Sequence, residues 1–420
     1  MITRPDGPRG DPLLGSARAI FRDPLKFNCG MLQYGPLAHA RVGPAHLYLI
    51  RDPALIEQFL IGEHARCVKD RNTRTLGLLL GQSLLTSDGE AWKQRRKFAA
   101  PMFQPRRVDS YAATMRAVAE AYARTLRHGE RRDFHADSMR LTLEIAGRTL
   151  CGVSPGAEAE RFGALLEVLV DYFEQRLFSF ERLVPFGVPT RGLRRFRAAK
   201  AELDALLRTL VARAGDGDHL LARMNRAREE SGMSEQQMFD ELLTMLLAGH
   251  ETSALALSFT IYLLSAHRVE RERARSDDAY LDAVLRESMR LYPPAYALGR
   301  EVIEDFELDG FPIPRGSNLV VSPYATHRNP AYFAEPERFR PERWLDGSLR
   351  DLPRCAYMPF GAGPRFCVGT HFAWLEATLV LKALLQAADF DVEPGFELAL
   401  SAVVTLRPRA GIPVRVSALA

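Results

Sequence analysis

A cysteine on a glycine-rich loop is the residue of this chain with the clearest potential for chemistry. Cys367 lies in the stretch FGAGPRFCVG, residues 360–369, and an apolar run from Phe372 to Leu385 that predicts a helix follows it. Glycine takes positive φ without strain and has no Cβ, so this loop can turn sharply and approach a flat object closely. A thiol just before a helix is favoured as the thiolate, which is either a nucleophile or a metal ligand.

The neighbours of Cys367 in the sequence favour one of these two roles. A nucleophilic cysteine needs a histidine base, and a zinc site needs further Cys or His ligands at short spacing. Cys355 lies twelve residues upstream without a second pair, and His371 would lie on the next helical turn. A single axial thiolate to haem iron needs only one cysteine, so this ligation fits the sequence better.

The residues around this cysteine resemble the haem-binding signature of the cytochrome P450 family, which is matched at Phe360, Gly363, Arg365, Cys367 and Gly369. The resemblance implies that Cys367 ligates the iron of haem b, iron protoporphyrin IX. It also implies that Phe360, Gly361, Arg365 and Gly369 bind this cofactor. The fold it implies is mainly α with a smaller β-rich part (α+β), in which a long distal helix and the proximal cysteine loop enclose the haem.

A second stretch of polar residues interrupts a long apolar helix. Ser234 and Gln237 form a capping-box pattern, and no proline follows until beyond Ala266, so one helix of about 48 Å is predicted at about 1.5 Å per residue. Midway lie the residues GHETS, 249–253, and buried polar groups are unfavourable unless they are hydrogen-bonded. A threonine hydroxyl that bonds to the carbonyl four residues earlier would also bend the helix.

In the family this is the distal helix over the haem. The resemblance therefore implies that the small residues Ala248 and Gly249 make room for O2. It further implies that Glu251 and Thr252 form the catalytic acid and alcohol pair that relays protons. The alternative interpretation is that these residues form a capped kink in the helix and have no catalytic role.

Basic residues next to a tryptophan suggest an anion site. Trp92 and Arg96 lie four residues apart on a predicted helix, so an indole N–H and a guanidinium can reach the same anion. The alternative is a solvated basic face. In the family such a pair holds a haem propionate, and the resemblance gives the same role to Arg300 and Arg365, since a guanidinium fork suits a carboxylate.

Glu287 and Arg290 lie three residues apart on another predicted helix, 279–291. Such pairs are common and contribute little at a surface. The resemblance makes this one structural: in the family it binds an arginine of a Pro-Glu-Arg-aromatic segment and holds the cysteine loop in place. Two such segments occur here, with Arg338 and Arg343, and the distance to Cys367 favours Arg343.

Shorter patterns predict the remaining elements. Residues 36–52 predict two strands around a Gly-Pro turn, and Asp309-Gly310 is a hairpin signal between strands predicted at 299–303 and 318–322. Residues 71–87, rich in glycine and leucine, predict a mobile loop over a pocket. Residues 396–416 predict a final hairpin whose turn at 402–405 could reach the pocket. The phenylalanine-rich stretch 165–189 resembles the substrate lid of the family, and core packing is the alternative interpretation for each of its phenylalanines.

The whole chain, 1–420, is interpreted as one domain, with β-rich parts at about 36–65, 297–330 and 396–416 and an α-rich remainder. The resemblance also predicts a largely apolar substrate pocket, which suits a hydrophobic small molecule such as a terpenoid, fatty acid, macrolide or steroid. The predicted pocket residues are Leu84, Phe173, Leu247, Ala248, Ala295, Leu298 and Val403.

Composition limits the class of protein. The 420 residues are 47% apolar and 26% charged, as in an ordinary globular enzyme, and the net charge of +4 is too small for a nucleic-acid-binding protein. The five scattered cysteines predict a reducing compartment. The N-terminal residues contain no apolar run near the about 20 residues of a membrane span. We therefore expect a soluble, cytoplasmic protein without a nucleic-acid or membrane partner.

The expected activity is that of a haem-thiolate monooxygenase, which inserts one oxygen atom of O2 into a C–H bond or C=C bond of its substrate. The sequence contains no flavin or nucleotide motif, so the electrons are expected from a ferredoxin or flavodoxin with its NAD(P)H reductase. The expected docking residues are basic: Lys93, Arg95, Lys97, Arg106 and Arg107.

Two alternatives stay open. One is a peroxide-dependent fatty-acid hydroxylase or decarboxylase, in which an arginine replaces the acid and alcohol pair. The other is a non-catalytic haem-binding sensor, which would not need Glu251 and Thr252.

Overall fold

The structure, a computed structural model, describes residues 3–156, 158–178, 188, 190–213, 217, 219–231 and 233–419. The chain divides into two compact units. The first consists of Met1–Arg74, His267–Thr370 and Leu400–Arg407, and the second of Thr75–Ala266, His371–Ala399 and Pro408–Ala420. The interpretation of 1–420 as a single domain stays a prediction.

The fold is mainly helical, with helix over 56% of the chain and a smaller sheet part, as expected. In chain order, the α-helices of the described residues are α1 (Ala17–Arg22), α2 (Pro24–Gly30), α3 (Pro53–Glu57), α4 (Arg71–Thr75), α5 (Gly77–Leu80), α6 (Gly89–Ala99), α7 (Pro105–Asp109), α8 (Ala112–Ala123), α9 (Phe134–Ala146), α10 (Glu158–Phe178), α11 (Arg191–Arg213), α12 (Leu220–Ser231), α13 (Glu235–Ala266), α14 (Arg268–Ser276), α15 (Asp278–Leu291), α16 (Pro323–Thr326) and α17 (Thr370–Ala387).

The strands are short and belong to several sheets. In chain order they are β1 (Leu37–Val42), β2 (Ala45–Ile50), β3 (Cys67–Lys69), β4 (Arg131–Asp133), β5 (Leu298–Val302), β6 (Phe306–Leu308), β7 (Phe311–Ile313), β8 (Asn318–Val321), β9 (Ala388–Val392), β10 (Leu400–Ala402), β11 (Leu406–Pro408) and β12 (Pro413–Ala418).

The first unit is built on a five-stranded sheet in the order β1-β2-β8-β5-β3. The pairing of β2 with β8 is parallel, and the other pairings are antiparallel. Tyr48, Leu319 and Val321 are wholly buried in the core of this unit. The strands predicted within residues 36–52, and those predicted near 299–303 and 318–322, are thereby confirmed.

The hairpin predicted at Asp309-Gly310 joins β6 to β7. Both residues have positive φ, 53° at Asp309 and 73° at Gly310, as a two-residue turn that matches the twist of its strands requires. This prediction is confirmed.

The second unit is organised around α13, which packs along α9. The reciprocal cap predicted for this helix is present: the Ser234 N–H donates to Gln237 Oε1 at 3.0 Å, and the Gln237 N–H donates to Ser234 Oγ at 3.2 Å. The helix then runs without a break to Ala266, as predicted. It is long and apolar enough to span a membrane, but 72% of its most apolar window is buried in the protein, as in a core helix.

Two sequence predictions differ from the structure. Residues 71–87 contain the helices α4 and α5, which are too short for a helical period to show in the sequence. The C-terminal residues do not form one hairpin, because β10 pairs with β11 whereas β12 lies between β4 and β9 in a separate sheet. Of the predicted lid, 165–189, residues 179–187 and 189 lie outside the described residues.

Candidate functional site

The loop of Cys367 has the sharp backbone that its glycines predicted. Gly361 and Gly363 have φ of 75° and 72°, and a Cβ added at Gly363 would lie 2.2 Å from the carbonyl oxygen of Leu60. The Cys367 N–H donates to the carbonyl of Phe360 at 3.0 Å, which closes the loop three residues before α17 begins. Only glycine fits this close approach at position 363.

Cys367 is exposed, and this distinguishes it from the other four cysteines, all of which are free thiols. Burial raises the pKa of Cys29 and Cys67 to about 11 and that of Cys151 to about 12, so these groups stay protonated and unreactive. His371 lies four residues after Cys367 and could have served as the base of a nucleophilic cysteine. Its Nε2 lies 2.9 Å from Asp109 Oδ1.

A series of hydrogen bonds connects this loop to α15. The Gly361 N–H donates to the carbonyl of Met358, and the Met358 N–H donates to His327 Nε2 at 2.9 Å. The carbonyl of His327 accepts a bond from Arg290 Nη1, also at 2.9 Å. His327 is wholly buried, and burial lowers its pKa to about 3, so its ring is neutral and Nε2 can accept.

Glu287 is the centre of this buried network. Its carboxylate accepts two bonds from Arg290, one from Arg343 Nε at 3.0 Å and one from Trp344 Nε1 at 3.0 Å. The side chains of Glu287 and Arg290 have no exposed surface. Arg338 pairs instead with Glu335 at the surface, with 64% of its side chain exposed. The structure thus pairs Glu287 with Arg343 rather than with Arg338.

The polar stretch of α13 is the accessible part of an otherwise buried helix. Ala248 is exposed, and Leu247, Gly249, Glu251 and Thr252 are half-buried, whereas the residues on either side are buried. A Cβ added at Gly249 would have no neighbouring atom within 4 Å. This face of the helix therefore has room for another molecule.

The predicted bond from Thr252 to the preceding turn is present. Thr252 Oγ1 donates to the carbonyl of Ala248 at 2.6 Å, so the hydroxyl proton is held at the accessible face of α13. On another face, the carbonyl of His250 accepts a bond from Thr142 Oγ1 of α9 at 2.9 Å. The ring of His250 is wholly buried, and burial lowers its pKa, so it belongs to the core.

A buried ion pair joins α6 to α13. Arg95 Nη1 lies 2.8 Å from Glu241 Oε1, and the other carboxylate oxygen, Oε2, accepts the Leu84 N–H at 3.1 Å. The expectation that Arg95 belongs to a docking surface is therefore wrong, because its side chain is only 7% exposed. The basic pattern of this helix did not reveal that one of its faces is buried.

The predicted propionate residues are divided between the units. Trp92 and Arg96 are half-buried on α6 of the second unit. Arg300, on β5, and Arg365, in a short 3₁₀ turn, are half-buried in the first unit, where Arg300 Nη1 donates to the carbonyl of Gly299. Their role at a cofactor stays a prediction.

The predicted pocket residues of the first unit adjoin the cysteine loop and a turn. Leu298 packs beside Gly361, since its Cδ1 lies 3.7 Å from a Cβ added there. Val403 lies in the turn between β10 and β11, and the hydroxyl of Tyr296, next to Ala295, bonds to the carbonyls of Ala402 at 3.0 Å and Val403 at 3.1 Å.

Phe173 has different surroundings. This residue of α10 is 2% exposed, and its ring packs edge-on against Phe196 of α11 with the centroids 5.7 Å apart. These contacts are those of a core residue, so a pocket role for Phe173 stays a prediction.

Comparisons with known proteins decide the family. The family model described as Cytochrome P450 matches residues 5–401. The chain belongs to the cytochrome P450 family. Cyclooctatin synthase of Streptomyces melanosporofaciens is 32% identical over 93% of this chain and 91% of its own, and the cyclooctat-9-en-7-ol 5-monooxygenase of the same organism is 31% identical over 93% and 90%. The structure of retinoic-acid-bound cyanobacterial CYP120A1 has a TM-score of 0.84 and 28% identity, with all of both chains covered.

This cytochrome P450 is a monooxygenase, which uses haem, O2 and a hydrophobic substrate. Each of the two units contains residues that suit a haem. The first unit contains the exposed Cys367, on a loop that is too close to its neighbours at Gly363 to accept a side chain there. The second unit contains the small, accessible residues Ala248 and Gly249 on an otherwise buried helix. Within the described ranges, no group of three or more His, Cys, Asp and Glu side chains could hold another metal ion.

Three residues with long-range contacts or full burial were not predicted from the sequence. Glu241 and Tyr296 form hydrogen bonds with residues that are far away in the sequence, and no local pattern reveals such bonds. Glu376 of α17 is a fully buried carboxyl group in an apolar run. A single charged residue within a predicted core helix was the signal that could have found it.

Proposed function

We propose that this cytochrome P450 hydroxylates a terpenoid and receives its electrons from a ferredoxin or flavodoxin with an NAD(P)H reductase. The observation that carries the proposal is that two relatives covering more than nine-tenths of the chain are terpenoid-modifying cytochromes P450. The half-buried apolar side chains of Leu84, Leu247 and Leu298 would suit such a substrate.

In this proposal the sulfur of Cys367 would hold the iron of haem b. When bound, the haem supplies the activation of O2 and the transfer of one oxygen atom. The chain would contribute an anionic sulfur as a donor of electron density, and backbone N–H groups near it would tune how strongly it donates. The hydrogen bonds from Met358 to His327 and from Arg290 to Glu287 would keep this loop in one conformation.

Thr252 and Glu251 are proposed to control protons. The Thr252 hydroxyl proton is held by the carbonyl of Ala248, and rotation of the side chain would release it toward the accessible space beside Ala248 and Gly249. The half-buried Glu251 would then restore a proton from solvent. The arginine of a peroxide-dependent enzyme does not occupy this position.

The four groups Trp92, Arg96, Arg300 and Arg365 are proposed to bind the haem propionates. Indole and guanidinium N–H groups suit carboxylates, and charge-assisted bonds of this kind also orient the bound group. Their half-buried side chains limit competition by water.

The redox partner is proposed to dock on Lys93, Lys97, Arg106 and Arg107, which are all exposed. These residues lie on α6 and α7, close together in the sequence and of one sign of charge. An acidic partner would be attracted to such a surface and guided to it before contact. A cytoplasmic location is part of the proposal, because soluble electron carriers and reductants are available there.

Two measurements test the proposal. The purified protein, reduced and exposed to carbon monoxide, should show the red-shifted Soret band of thiolate ligation, and Cys367→Ala should lose it. A library of terpenes, fatty acids, macrolides and steroids should then be screened for a spin-state change of the ferric enzyme. Terpenes should give the largest changes at the lowest concentration. A response confined to fatty acids would overturn the substrate class, and loss of the Soret band in the wild type would overturn the ligand.

A further inference from the structure

A surface cleft of the first unit contains none of the residues proposed above for haem, substrate or redox partner. It has a volume of about 540 Å³ and is lined by Arg51 and by residues of two segments, 29–33 and 329–331. Leu32 and Pro330 give part of this lining an apolar character. Clefts of this size commonly hold small organic molecules.

Arg51 brings a positive charge to the cleft. Its side chain is half-buried, and one of its N–H groups donates to the carbonyl of Leu32. Among the described residues no carboxylate forms an ion pair with this guanidinium. The neighbouring acid, Asp52, instead accepts the Ala54 N–H at 2.9 Å and the hydroxyl of Tyr332 at 3.3 Å. The other N–H groups of Arg51 can therefore donate to a ligand.

Asn329 contributes a second donor, which is an amide group that the fold does not use. This residue is only 4% exposed, and its Oδ1 accepts the Ala331 N–H at 3.1 Å. Because Oδ1 must face this donor, the Nδ2 group lies on the other side of the amide. Within the part of the chain that the structure describes, Nδ2 has no hydrogen-bond partner, and Asn329 lines the cleft. An acceptor in the cleft would satisfy it.

These features together select the chemistry of a ligand. A guanidinium and a free amide N–H group suit an oxygen anion, and the guanidinium in particular suits a carboxylate. Burial raises the pKa of Cys29 to about 11, so the thiol in this lining is neutral and does not repel an anion. The apolar surface of Leu32 and Pro330 would favour an anion that carries a hydrocarbon part over a small, strongly hydrated one.

We propose that this cleft binds a small organic carboxylate. Its oxygens accept hydrogen bonds from Arg51 and Asn329, and its apolar part packs against Leu32 and Pro330. Binding connects segment 29–33 with the turn 329–331, and it stabilises the folded protein because the unfolded chain has no such site. The inference does not depend on the proposed substrate or on the proposed proton relay.

The first test measures binding to the ferric holoenzyme by calorimetry. Benzoate, naphthylacetate and decanoate are each titrated beside the corresponding amide, and inorganic phosphate is titrated as a further probe. At least one acid should bind about tenfold or more tightly than its amide, because the amide lacks the charge that strengthens the bond to the guanidinium. The proposal is overturned if no acid binds, if every acid and its amide bind equally, or if inorganic phosphate binds most tightly.

The second test locates the site with two variants and a matched control. Arg51→Gln removes the cation, and Asn329→Asp keeps the acceptor for the Ala331 N–H but places a negative charge beside the ligand. Each should weaken binding by about ten- to a hundredfold. Arg41→Gln is the control, because Arg41 also donates to a main-chain carbonyl, that of Pro12, but is exposed and does not line the cleft. Binding in this control should match the wild type.

Hydrogen exchange of the wild type gives an answer even if a variant does not fold. The saturating carboxylate should slow amide exchange at Ala331 and in peptides that cover 29–33, without a change in the ferric spin state. Unchanged exchange in both segments would refute the site. Protection of other segments alone, together with a spin-state change, would also refute it, because the carboxylate would then bind at the haem.

Discussion

Arg95 of α6 and Glu241 of α13 form an ion pair of 2.8 Å whose two side chains are 7% and 0% exposed. The same carboxylate accepts the Leu84 N–H, so one acidic group fixes both a helix and the loop that precedes it. The helix carries Trp92 and Arg96, proposed for the propionates, and Leu84 is a proposed pocket residue. Glu241 would thus set the positions of two parts of the site at once.

Replacing Arg95 should destabilise the protein strongly. In Arg95→Met the carboxylate of Glu241 stays buried without its cation, which is expected to lower the free energy of unfolding by about 3–5 kcal/mol. Burial raises the pKa of Glu241, so the loss should be larger at pH 8 than at pH 5, because a smaller fraction of this carboxyl group is ionised at the lower pH. Urea unfolding at both pH values measures this.

Lys93 provides the control on the same helix, because its side chain is 65% exposed. Lys93→Met should change stability by no more than about 0.5 kcal/mol. Equal losses in the two variants would contradict the importance of the buried pair.

The two Pro-Glu-Arg segments should respond very differently to the same substitution. Arg343→Gln removes a bond of Glu287 inside the buried network and should lower stability by about 3–5 kcal/mol, with loss of the carbon monoxide band of thiolate ligation. Arg338→Gln removes a surface pair and should cost about 0.5 kcal/mol or less. Urea unfolding and the carbon monoxide spectrum should be measured side by side. Similar behaviour of both variants would disprove the assignment of Arg343.

His327 should make the protein sensitive to acid. Its pKa is about 3 in the fold against an ordinary value of 6.5, so between these values the unfolded chain binds a proton that the folded protein does not. Stability should therefore fall as the pH is lowered below 6.5, by about 1.4 kcal/mol per pH unit from this group.

The variant His327→Gln keeps an acceptor for the Met358 N–H and cannot titrate, so its stability should depend less on pH between 6.5 and 4.5. Urea midpoints across this range measure the slope. His128→Gln, at an exposed position, is the control and should behave like the wild type. Parallel slopes for the wild type and His327→Gln would refute the prediction.

Tyr296 should influence which product is formed. Tyr296→Phe removes the bonds to the carbonyls of Ala402 and Val403, so the turn between β10 and β11 should become more mobile. We expect faster amide exchange at Leu406 and a broader set of product isomers at a similar rate of substrate binding. Tyr332→Phe, which removes a bond to Asp52, serves as the control. An unchanged product ratio would contradict a role of this turn in selectivity.

Electron transfer should depend on salt and on a few basic residues. Exchanging Lys93 and Arg106 for glutamate should slow reduction by an acidic ferredoxin at low salt and weaken the salt dependence, because attraction to the partner is reduced. Stopped-flow reduction at two ionic strengths measures both effects. Arg194→Glu, an exposed position on α11, should have no such effect. If every candidate partner reduced the wild type equally fast at low and high salt, electrostatic docking would be refuted.

Sequence patterns correctly predicted those features that depend on interactions between residues close together in the chain. The ends of α13 followed from its cap and the absence of proline, and the turn at Asp309 followed from residues that tolerate positive φ. The bond from Thr252 to Ala248 was predictable for the same reason, since it spans one helical turn.

Partners that are distant in the sequence could not be predicted in this way. Arg95 and Glu241 are 146 positions apart, and a basic helix gives no sign of which arginine is buried. The segments around Arg338 and Arg343 are near-copies, so only the fold decides which guanidinium reaches Glu287. The two helices in 71–87 were missed because they are only five and four residues long, too short to show a helical period, and burial of Leu79 and Leu80 stabilises the second of them.

The bonds made by the hydroxyl of Tyr296 have a consequence for the evolution of this enzyme. These hydrogen bonds are accepted by main-chain carbonyl oxygens, which every residue has, so they do not depend on which side chains occupy positions 402 and 403. Substitutions there would change the side chains at and next to the proposed pocket residue Val403, while the turn keeps its hydrogen bonds to Tyr296. Natural or laboratory evolution could thus alter substrate preference through these two positions without losing the hydrogen bonds that hold the turn.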